Sequence, residues 1–548
     1  MSAVSPASDA SDAPGVPNAQ DVPDAPDALN PRRWWALGAL VAALLVLGFD
    51  TTILNIALPQ MATALGADTG EQQWIADSYT VVFAAGMLPA GLLGDRFGRR
   101  AMLVTGLGIF LVGSVVGTLV DSAALVIAAR VIMGLGAALV SPLSLAVVPT
   151  FFGPEERAKA IGALSAAAAL GMPLGPLVGG WLLDHFWWGS VFLINIPMAA
   201  IAMVVCLFLL PETRDPAAPK VDVVSTALSA GGLSALVYGF IEAPHRGWSD
   251  PLICTMFGAS AALLTGLVLR ERQAVRPMLD LPLLRRPAFL WSAVTATLVS
   301  FCLLGLLFVL PQYLQAVLGY DAFGTGLRLL PMMGGLLISA RAAAPLAARF
   351  GARPVISGGL LVIAAAAFLG SRTEVDDGYG MTALWLSLTG LGFGFGIVPA
   401  MDAALGSLPK DREGTGSGLL MTLRQVGGAL GIALLGSLLA DAYDDRLDTT
   451  GLPPGAADVA GDSVTAARLL AERLHSPELA ASADRAFVHG MDLTLLITAA
   501  VSLAAAVLTA LFMPGRGARG PGQDAQETRG AADTEAPAMA QERTDARQ

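Results

Sequence analysis

The stretch "GLLGDRFGRR", residues 91–100, follows an apolar run and places one acid and three arginines in its last six positions. A membrane-buried segment does not tolerate such a cluster of charges, and a soluble helix has no need of the apolar run before it. We therefore expect a turn at a membrane surface, with apolar helices on both sides of it.

The composition of the whole chain agrees with this interpretation. The 548 residues are 54% hydrophobic and only 14% charged, whereas soluble domains carry about 25% charged residues. Apolar segments of about twenty residues, the length that spans the hydrocarbon core of a bilayer, recur along the sequence. The sequence predicts an all-α polytopic membrane protein with fourteen spans, the first beginning near residue 34.

The positive charges of the short loops predict the orientation of the spans. If the N-terminus is inside, almost all Lys and Arg residues of these loops lie on the cytoplasmic side, and only Arg246 and Arg372 lie outside. Such a bias is the signature of cytoplasmic loops. We expect a multi-pass protein of the cell membrane with both termini in the cytoplasm, which places the 91–100 turn on the cytoplasmic side.

A second copy of the charged turn divides the chain into halves. "APLAARFGAR", residues 344–353, repeats the first copy at an offset of 253 residues, which is more than six spans occupy. Parallel repeats of this kind build transporters that rock about a central site. The predicted organisation is a disordered arm (1–33), a six-helix half (34–210), two inserted helices with flanking loops (211–286), a second six-helix half (287–513) with an extracytoplasmic loop (441–487), and a disordered tail (514–548).

Several further motifs carry a family resemblance. They are "LGFDTTILNIALP" (47–59), "ARVIMGLGAA" (129–138), "GMPLGPLVGGWL" (171–182), "FLINIP" (192–197), "IEAPHRGW" (241–248), "LPQYLQAVLGY" (310–320) and "LRQVGGALG" (423–431). Together with the charged turn, they resemble the major facilitator superfamily, specifically its fourteen-helix drug:proton antiporter branch, from about residue 34 to 513. The resemblance implies the major facilitator fold and a proton-coupled exporter of amphipathic, lipophilic small molecules.

The resemblance also gives the charged turn a role as a cytoplasmic gating latch. Glycines allow a sharp turn, and the acid can face an arginine or a helix N-terminus. The alternative is an ordinary positively charged anchor, which has no use for the acid. In the second copy Ala348 stands where the first has Asp95, so we do not expect equivalent gates. The predicted gating residues are Gly91, Gly94, Asp95, Arg96, Gly98, Arg99 and Arg100.

Two ionisable residues lie deep in the first half. Asp50 lies about 14 Å, and Arg130 about 11 Å, from the outer ends of their spans at 1.5 Å per residue. Charged residues at such depth are costly and therefore functional candidates. A buried carboxylate near an arginine can bind and release a proton as that contact breaks and forms. The family uses these positions for proton coupling; the alternative is a static pair that fixes helix packing.

The "GMPLGPLVGG" motif supplies small residues at helical spacing. Gly171, Gly175 and Gly179 are four residues apart, so they form one stripe on which another helix can approach closely. The two prolines are expected to bend the helix. The alternative is generic small-residue packing. The predicted antiporter-motif residues are Gly171, Pro173, Gly175, Pro176, Gly179 and Gly180.

Four further charged residues lie inside or near spans. Asp402 follows Pro399 near an inner end, and it either borders the binding site or reaches cytoplasmic water. Arg424 lies about 12 Å from the inner face. At this depth it either pairs helices or lines the substrate path, and the sequence favours neither role. Asp77 and Arg328 are close enough to the outer face that we expect solvent to reach them.

Other classes of function find little support. The four histidines form no metal-binding HExxH motif, and the glycine-rich runs lack the lysine of a phosphate-binding loop. We therefore expect no enzyme, no cofactor and no ATP drive. The expected partners are protons, a lipophilic small molecule and the lipid bilayer, with no nucleic acid, for a monomeric protein. The alternatives are an exporter dedicated to one natural product or metabolite, or a transport-inactive sensor of the same fold.

Overall fold

The computed structural model describes residues 33–514 except 149–151, 153, 215–221, 275–278, 280, 376, 409–412 and 451. The predicted N-terminal arm and C-terminal tail therefore lie almost entirely outside the described residues. The described chain forms these helices: α1 Arg33–Leu65, α2 Thr69–Phe97, α3 Arg99–Leu119, α4 Ala123–Val147, α5 Pro154–His185, α6 Ser190–Leu193, α7 Asn195–Leu209, α8 Val223–Arg246, α9 Pro251–Gln273, a 3-10 turn Leu281–Arg285, α10 Pro287–Gln312, a π-helical turn Tyr313–Val317, α11 Ala322–Phe350, α12 Ala352–Gly370, α13 Tyr379–Gly406, α14 Glu413–Asp444, α15 Pro454–Asp462, α16 Val464–Leu474 and α17 Pro477–Phe512.

Fourteen spans remain a prediction. Twelve of the described helical segments are long and apolar enough to cross a membrane. Helix α2, counted as one span from the segments Thr69–Met87 and Pro89–Phe97, makes thirteen. The 32-residue helix α5 has sufficient length to be the fourteenth. The all-α polytopic architecture is confirmed, because every regular element of the described chain is helical.

The two halves repeat one packing scheme. In the first half α1 packs on α5, α4 on both α2 and α3, and α3 on α7; in the second, α10 packs on α14, α13 on both α11 and α12, and α12 on α17. The halves meet where α2 packs on α14 and α5 on α11. The inserted helices α8 and α9 pair with each other, and α8 also packs on α2 and α14. The architecture is two six-helix halves with an inserted helix pair at one seam between them.

Hydrogen bonds tie the halves together at one end of the molecule. Gln315 donates to the Ile56 carbonyl at 2.9 Å, and the Phe323 N–H donates to Asp184 at 3.2 Å. The Thr69 hydroxyl donates to the carbonyl of Asp462 at 2.8 Å. Following the topology predicted from the sequence, we call these the outer ends of the helices. The outer ends are closed against each other.

The predicted 441–487 loop is mostly helical. Helix α14 continues to Asp444, α15 and α16 follow, and α17 begins at Pro477, well before the predicted span. Arg468 of α16 forms an ion pair with Asp484 of α17 at 2.6 Å, and burial raises the pKa of this carboxyl although Arg468 opposes the shift. Because α16 also packs on α1, this segment contacts both halves at the outer ends.

Candidate functional site

The centre of the first half holds a buried ion pair. Asp50 lies on α1 and Arg130 on α4, and the Arg130 Nη1 donates to the Asp50 Oδ2 at 2.6 Å. Both side chains are 2% exposed. The structure therefore brings together the two residues that the sequence placed at similar depth, in a site that water does not reach in this conformation.

Three further residues complete this pair. Asn195, the first residue of α7, donates from Nδ2 to the other carboxylate oxygen of Asp50 at 2.7 Å. The Arg130 Nε donates to the Ile75 carbonyl on α2 at 3.2 Å, and its guanidinium lies 4.3 Å from the centre of the Tyr79 ring. Asn195 and Tyr79 are both 0% exposed. We call Asp50, Arg130, Asn195 and Tyr79 the Asp50 cluster; it links α1, α2, α4 and α7.

The Asp50 cluster can couple protonation to the packing of helices. Each carboxylate oxygen of Asp50 accepts one hydrogen bond, from a charged donor on one side and a neutral amide on the other. Charge-assisted hydrogen bonds of this kind are about twice as strong as neutral ones. A proton on Asp50 removes the charge that holds Arg130, and it leaves the guanidinium to its Ile75 and Tyr79 contacts. Movement of α4 relative to α1 would then accompany proton binding.

The glycine stripe of α5 sets the position of α1 beside this cluster. A Cβ atom on Gly171 would lie 2.8 Å from the backbone nitrogen of Phe49, and one on Gly175 would lie 3.0 Å from the Phe49 carbonyl oxygen. Real Cβ atoms essentially never lie as close as the first distance, and the second is tighter than most Cβ contacts. A Cβ atom on Gly179 would collide with the Ile53 side chain. Gly171 and Gly175 therefore allow α5 to pack against the backbone of α1 on both sides of Asp50, and Gly179 leaves room for the Ile53 side chain.

Two other members of the motif, Gly180 and Pro176, face the second half of the chain. A Cβ atom on Gly180 would lie 2.6 Å from the Phe323 Cα on α11. Pro176 contacts the same helix, because its carbonyl oxygen lies against the position of Gly326. The side chain of Pro173 lies outside the described residues, and the predicted bend stays a prediction.

The charged turn is a tight connection between α2 and α3. Gly98 has φ of 108°, a conformation that residues with a side chain rarely adopt. Asp95 and Arg99 form an ion pair at 2.8 Å, and Arg99 also donates to the Ala146 carbonyl at the end of α4 at 2.6 Å. The predicted contact of Asp95 with an arginine is present, and it ties the turn to α4.

Glu212 is a partner of this turn that the sequence analysis missed. Its carboxylate accepts from the backbone N–H groups of Arg100 and Ala101, each at 3.2 Å, and so caps the start of α3. The Arg100 side chain in turn donates to the Leu210 carbonyl at 3.2 Å. The signal was available in "LPETR", residues 210–214, where an acid ends the sixth span beside a basic turn.

The remaining residues of the turn have lesser contacts. A Cβ atom on Gly94 would collide only with the Leu143 side chain, whereas one on Gly91 would meet no atom within 4 Å. Arg96 lies over the Phe97 ring at 5.6 Å. Gly91 therefore has no packing requirement in this conformation, so the structure supplies no reason for its place in the motif.

The second copy of the turn keeps the geometry but not the acid. Gly351 has φ of 95°, as Gly98 does in the first copy. Arg353 donates to the Ala510 carbonyl of α17, as Arg100 does to the carbonyl of Leu210, the residue that follows α7. The two turns thus connect equivalent helices in the two halves. An aspartate that can hold an arginine in place is present only in the first.

Comparison with known proteins agrees with this fold and these motifs. Residues 40–432 match the model of a family described as the Major Facilitator Superfamily. The chain belongs to the major facilitator superfamily. Membership in this family of transporters confirms the predicted family and fold class, and it confirms that the protein is not an enzyme.

The relatives within the superfamily are similar over most of their length. The tetracenomycin C resistance and export protein of Streptomyces glaucescens is 34% identical over 88% of this chain and 92% of its own. The multidrug efflux pump LfrA of Mycolicibacterium smegmatis is 32% identical over 87% and 95%. Among solved structures, an inward-facing bacterial homologue of the human lysosomal transporter Spinster superposes with a TM-score of 0.64 at 18% identity, covering 88% of this chain and 98% of the other.

Two charged residues of the second half do not form a pair of the Asp50–Arg130 kind. Asp402 is exposed near the inner end of α13, in agreement with the alternative that its carboxylate reaches water. Arg424 is half-buried on α14, and its described contacts are the Ser300 hydroxyl at 3.4 Å and the sulfur atoms of Met401 and Met421 at 3.3 and 3.4 Å. The structure does not bring Asp402 and Arg424 together.

The expectation that solvent reaches Asp77 is wrong. Asp77 is 0% exposed, although it lies only about two turns from the start of α2. The reason is that α8 and α14 both pack on α2 near its outer end, where Trp74 contacts Tyr238 of α8 and Gln73 lies against Gly436 of α14. Arg328 is half-buried, with its guanidinium stacked on the Tyr320 ring at 3.3 Å.

Proposed function

We propose that the protein is a proton-coupled exporter of amphipathic, lipophilic small molecules that works by alternating access. The observation that carries the proposal is the Asp50 cluster. A titratable carboxylate is buried in the membrane interior, held by Arg130 and Asn195, and placed where four helices of one half meet. A charge at such depth is costly, which favours a functional role.

Membership in the superfamily supports the transport part of this proposal, and the relatives support the class of substrate. One relative is named for the export of tetracenomycin C and another as a multidrug efflux pump. We infer that this chain likewise removes drug-like molecules from the cell. The cell membrane is its expected location, and it is expected to act as a monomer.

A second candidate is an exporter dedicated to one natural product. The relative named for tetracenomycin C favours this candidate, because its printed name refers to a single compound. Growth inhibition of cells with and without the protein, tested with lipophilic cations, antiseptics and antibiotics, separates the two. Protection against several unrelated compounds supports the broad exporter, and protection against one chemical class supports the dedicated one.

The source of energy gives the first prediction. We expect export to follow the proton gradient and not ATP, because Asp50 is positioned to bind protons and the glycine-rich runs lack a phosphate-binding lysine. In everted membrane vesicles with an acidic interior, addition of ethidium should raise the internal pH only when the protein is present. Export of ethidium that needs ATP and survives an uncoupler would contradict the proposal.

The orientation of the chain gives the second prediction. In a cysteine-free background, a cysteine at Glu472 should react with an impermeant maleimide added to intact cells, whereas one at Ser5 should react only after permeabilisation. Glu472 is a suitable position because its side chain is exposed on α16. Ser463, which caps the start of the same helix, is less suitable because it is buried. The reverse pattern of labelling would overturn the predicted topology.

A further inference from the structure

A second carboxyl group lies buried in the first half, outside the Asp50 cluster. Asp77 is 0% exposed, and neither of its carboxylate oxygens has a hydrogen-bond partner among the described residues. Most buried polar groups in proteins do have such a partner. An acid without one is an exception that calls for a functional reason.

Asp77 lies at the seam between the two halves. Gln73, one turn towards the outer end, has its side-chain amide against Gly436 of α14. Val81, one turn towards the inner end, belongs to an apolar cluster with Ala429 and Ala433 of α14. Residues four apart share a face of a helix. Asp77 therefore occupies the face of α2 that packs on the second half.

None of the described charged groups near this face is a hydrogen-bond partner of Asp77. Arg130 is engaged by Asp50 and by the Ile75 carbonyl. Arg424 on α14 lies twelve residues inward of Gly436, about 18 Å along the helix axis. Among the residues whose side chains the structure describes, the titratable and charged groups of α2 besides Asp77, and of the elements packed against α2, are Arg33 and Asp50 on α1, Glu71, Tyr79, Asp95 and Arg96 on α2, Arg99 and Arg100 at the inner end of α3, Arg130 on α4, Tyr238, Glu242 and Arg246 on α8, and Arg424, Asp441, Tyr443 and Asp444 on α14.

We propose that Asp77 is a second proton-binding residue, which carries its proton while the seam between α2 and α14 is closed. A buried carboxylate anion without hydrogen bonds is strongly disfavoured, whereas the neutral acid is tolerated. Separation of the outer ends would expose Asp77 to outside water, where a proton is gained. Closure of the same ends, as in this structure, seals the protonated residue, and release of this proton to the cytoplasm before the outer ends open again completes the transfer of one proton per cycle. The inference rests on the proposed proton-coupled function and adds a site to it.

The number of protons exchanged per substrate tests the proposal. Liposomes that contain the purified protein take up ethidium at several imposed pH differences. Potassium and valinomycin clamp the membrane potential to zero. The slope of the logarithm of the ethidium ratio against the pH difference then gives the proton number. We expect Asp77→Asn, which imitates the protonated acid, to lower the slope by one. At a difference of one pH unit, the ethidium ratio then falls about tenfold.

Two control variants separate titration from packing. Asp77→Glu keeps a titratable group and should retain the slope of the parent protein. Ser78→Ala alters the neighbouring buried hydroxyl, which does not titrate, and should also retain it. An unchanged slope in Asp77→Asn, or a slope lowered equally by Ser78→Ala, overturns the assignment of Asp77 alone. A parent protein whose slope is zero overturns the proposed function, and this inference with it.

Discussion

Asp50→Asn is expected to abolish proton-driven export. The asparagine keeps the size of the side chain, and its carbonyl oxygen can still accept a hydrogen bond, but it cannot bind and release a proton. In everted vesicles, ethidium should no longer raise the internal pH, and its uptake should fall to the level of vesicles without the protein. Binding of an uncharged substrate should survive, because the shape of the site is little changed. Asp50→Glu should retain partial activity, since a titratable group remains.

The stability of this variant must be measured beside its activity. Removal of one partner from a buried ion pair leaves an uncompensated charge, at a cost of about 3–5 kcal/mol. Asp50→Asn leaves Arg130 in that position. Arg130→Ala should also impair export, and the two changes together should destabilise the protein less than the sum of the single changes. The thermal midpoint in detergent measures this difference.

The double variant separates folding from coupling. If Asp50→Asn with Arg130→Ala recovers the thermal midpoint of the parent but not its export, the loss of export comes from proton coupling. If Asp50→Asn alone exports ethidium against a gradient as well as the parent, another acid carries the proton. Asp77, the second buried acid of the first half, and then Asp402, near the inner end of α13, would be tested next.

Gly175→Ala is expected to lower both stability and export, although it adds a single methyl group. The new Cβ atom would collide with the Thr52 hydroxyl and would lie 3.0 Å from two backbone atoms of α1, the Ile53 nitrogen and the Phe49 carbonyl oxygen. Overpacking of a core costs about 1–3 kcal/mol. Since backbone cannot rotate away as a side chain can, α1 must shift, and Asp50 shifts with it. Export of ethidium should fall severalfold, with a lower thermal midpoint.

The matched control is Gly38→Ala on α1 itself. A Cβ atom there would meet no atom within 4 Å, so this change should leave the thermal midpoint and export near those of the parent. A second variant identifies the contact responsible. Thr52→Ala combined with Gly175→Ala removes the side-chain collision but not the backbone contacts. Full recovery in this pair would contradict the argument that α5 packs against the backbone of α1.

Much of the candidate site could be predicted from the sequence, because the distance of a residue from the end of its span gives its depth in the membrane. Asp50 and Arg130 could be matched from their distances to the outer ends of their spans, at a fixed rise per residue. The charged turn could be placed at a membrane surface, since charge is excluded from the hydrocarbon core. The family motifs predicted the fold, which the match to the superfamily confirms.

Depth along a helix does not reveal which way a side chain faces or which helix lies beside it. Asn195 and Tyr79 occur in apolar segments whose rotation the sequence leaves open, and only packing brings them to Asp50 and Arg130. Glu212 caps α3 because the chain returns to that turn more than a hundred residues later.

The clearest difference concerns Asp77. Its position near an outer end predicted contact with water, since sequence position measures only the distance to the membrane surface. In the folded protein, the inserted helix α8 and helix α14 of the second half cover that face of α2. Burial is a property of the neighbours that a residue acquires on folding. The sequence alone thus determined the fold and the depth of each charge, and the tertiary structure decided which charges are paired and which carboxyl group is sealed without a partner.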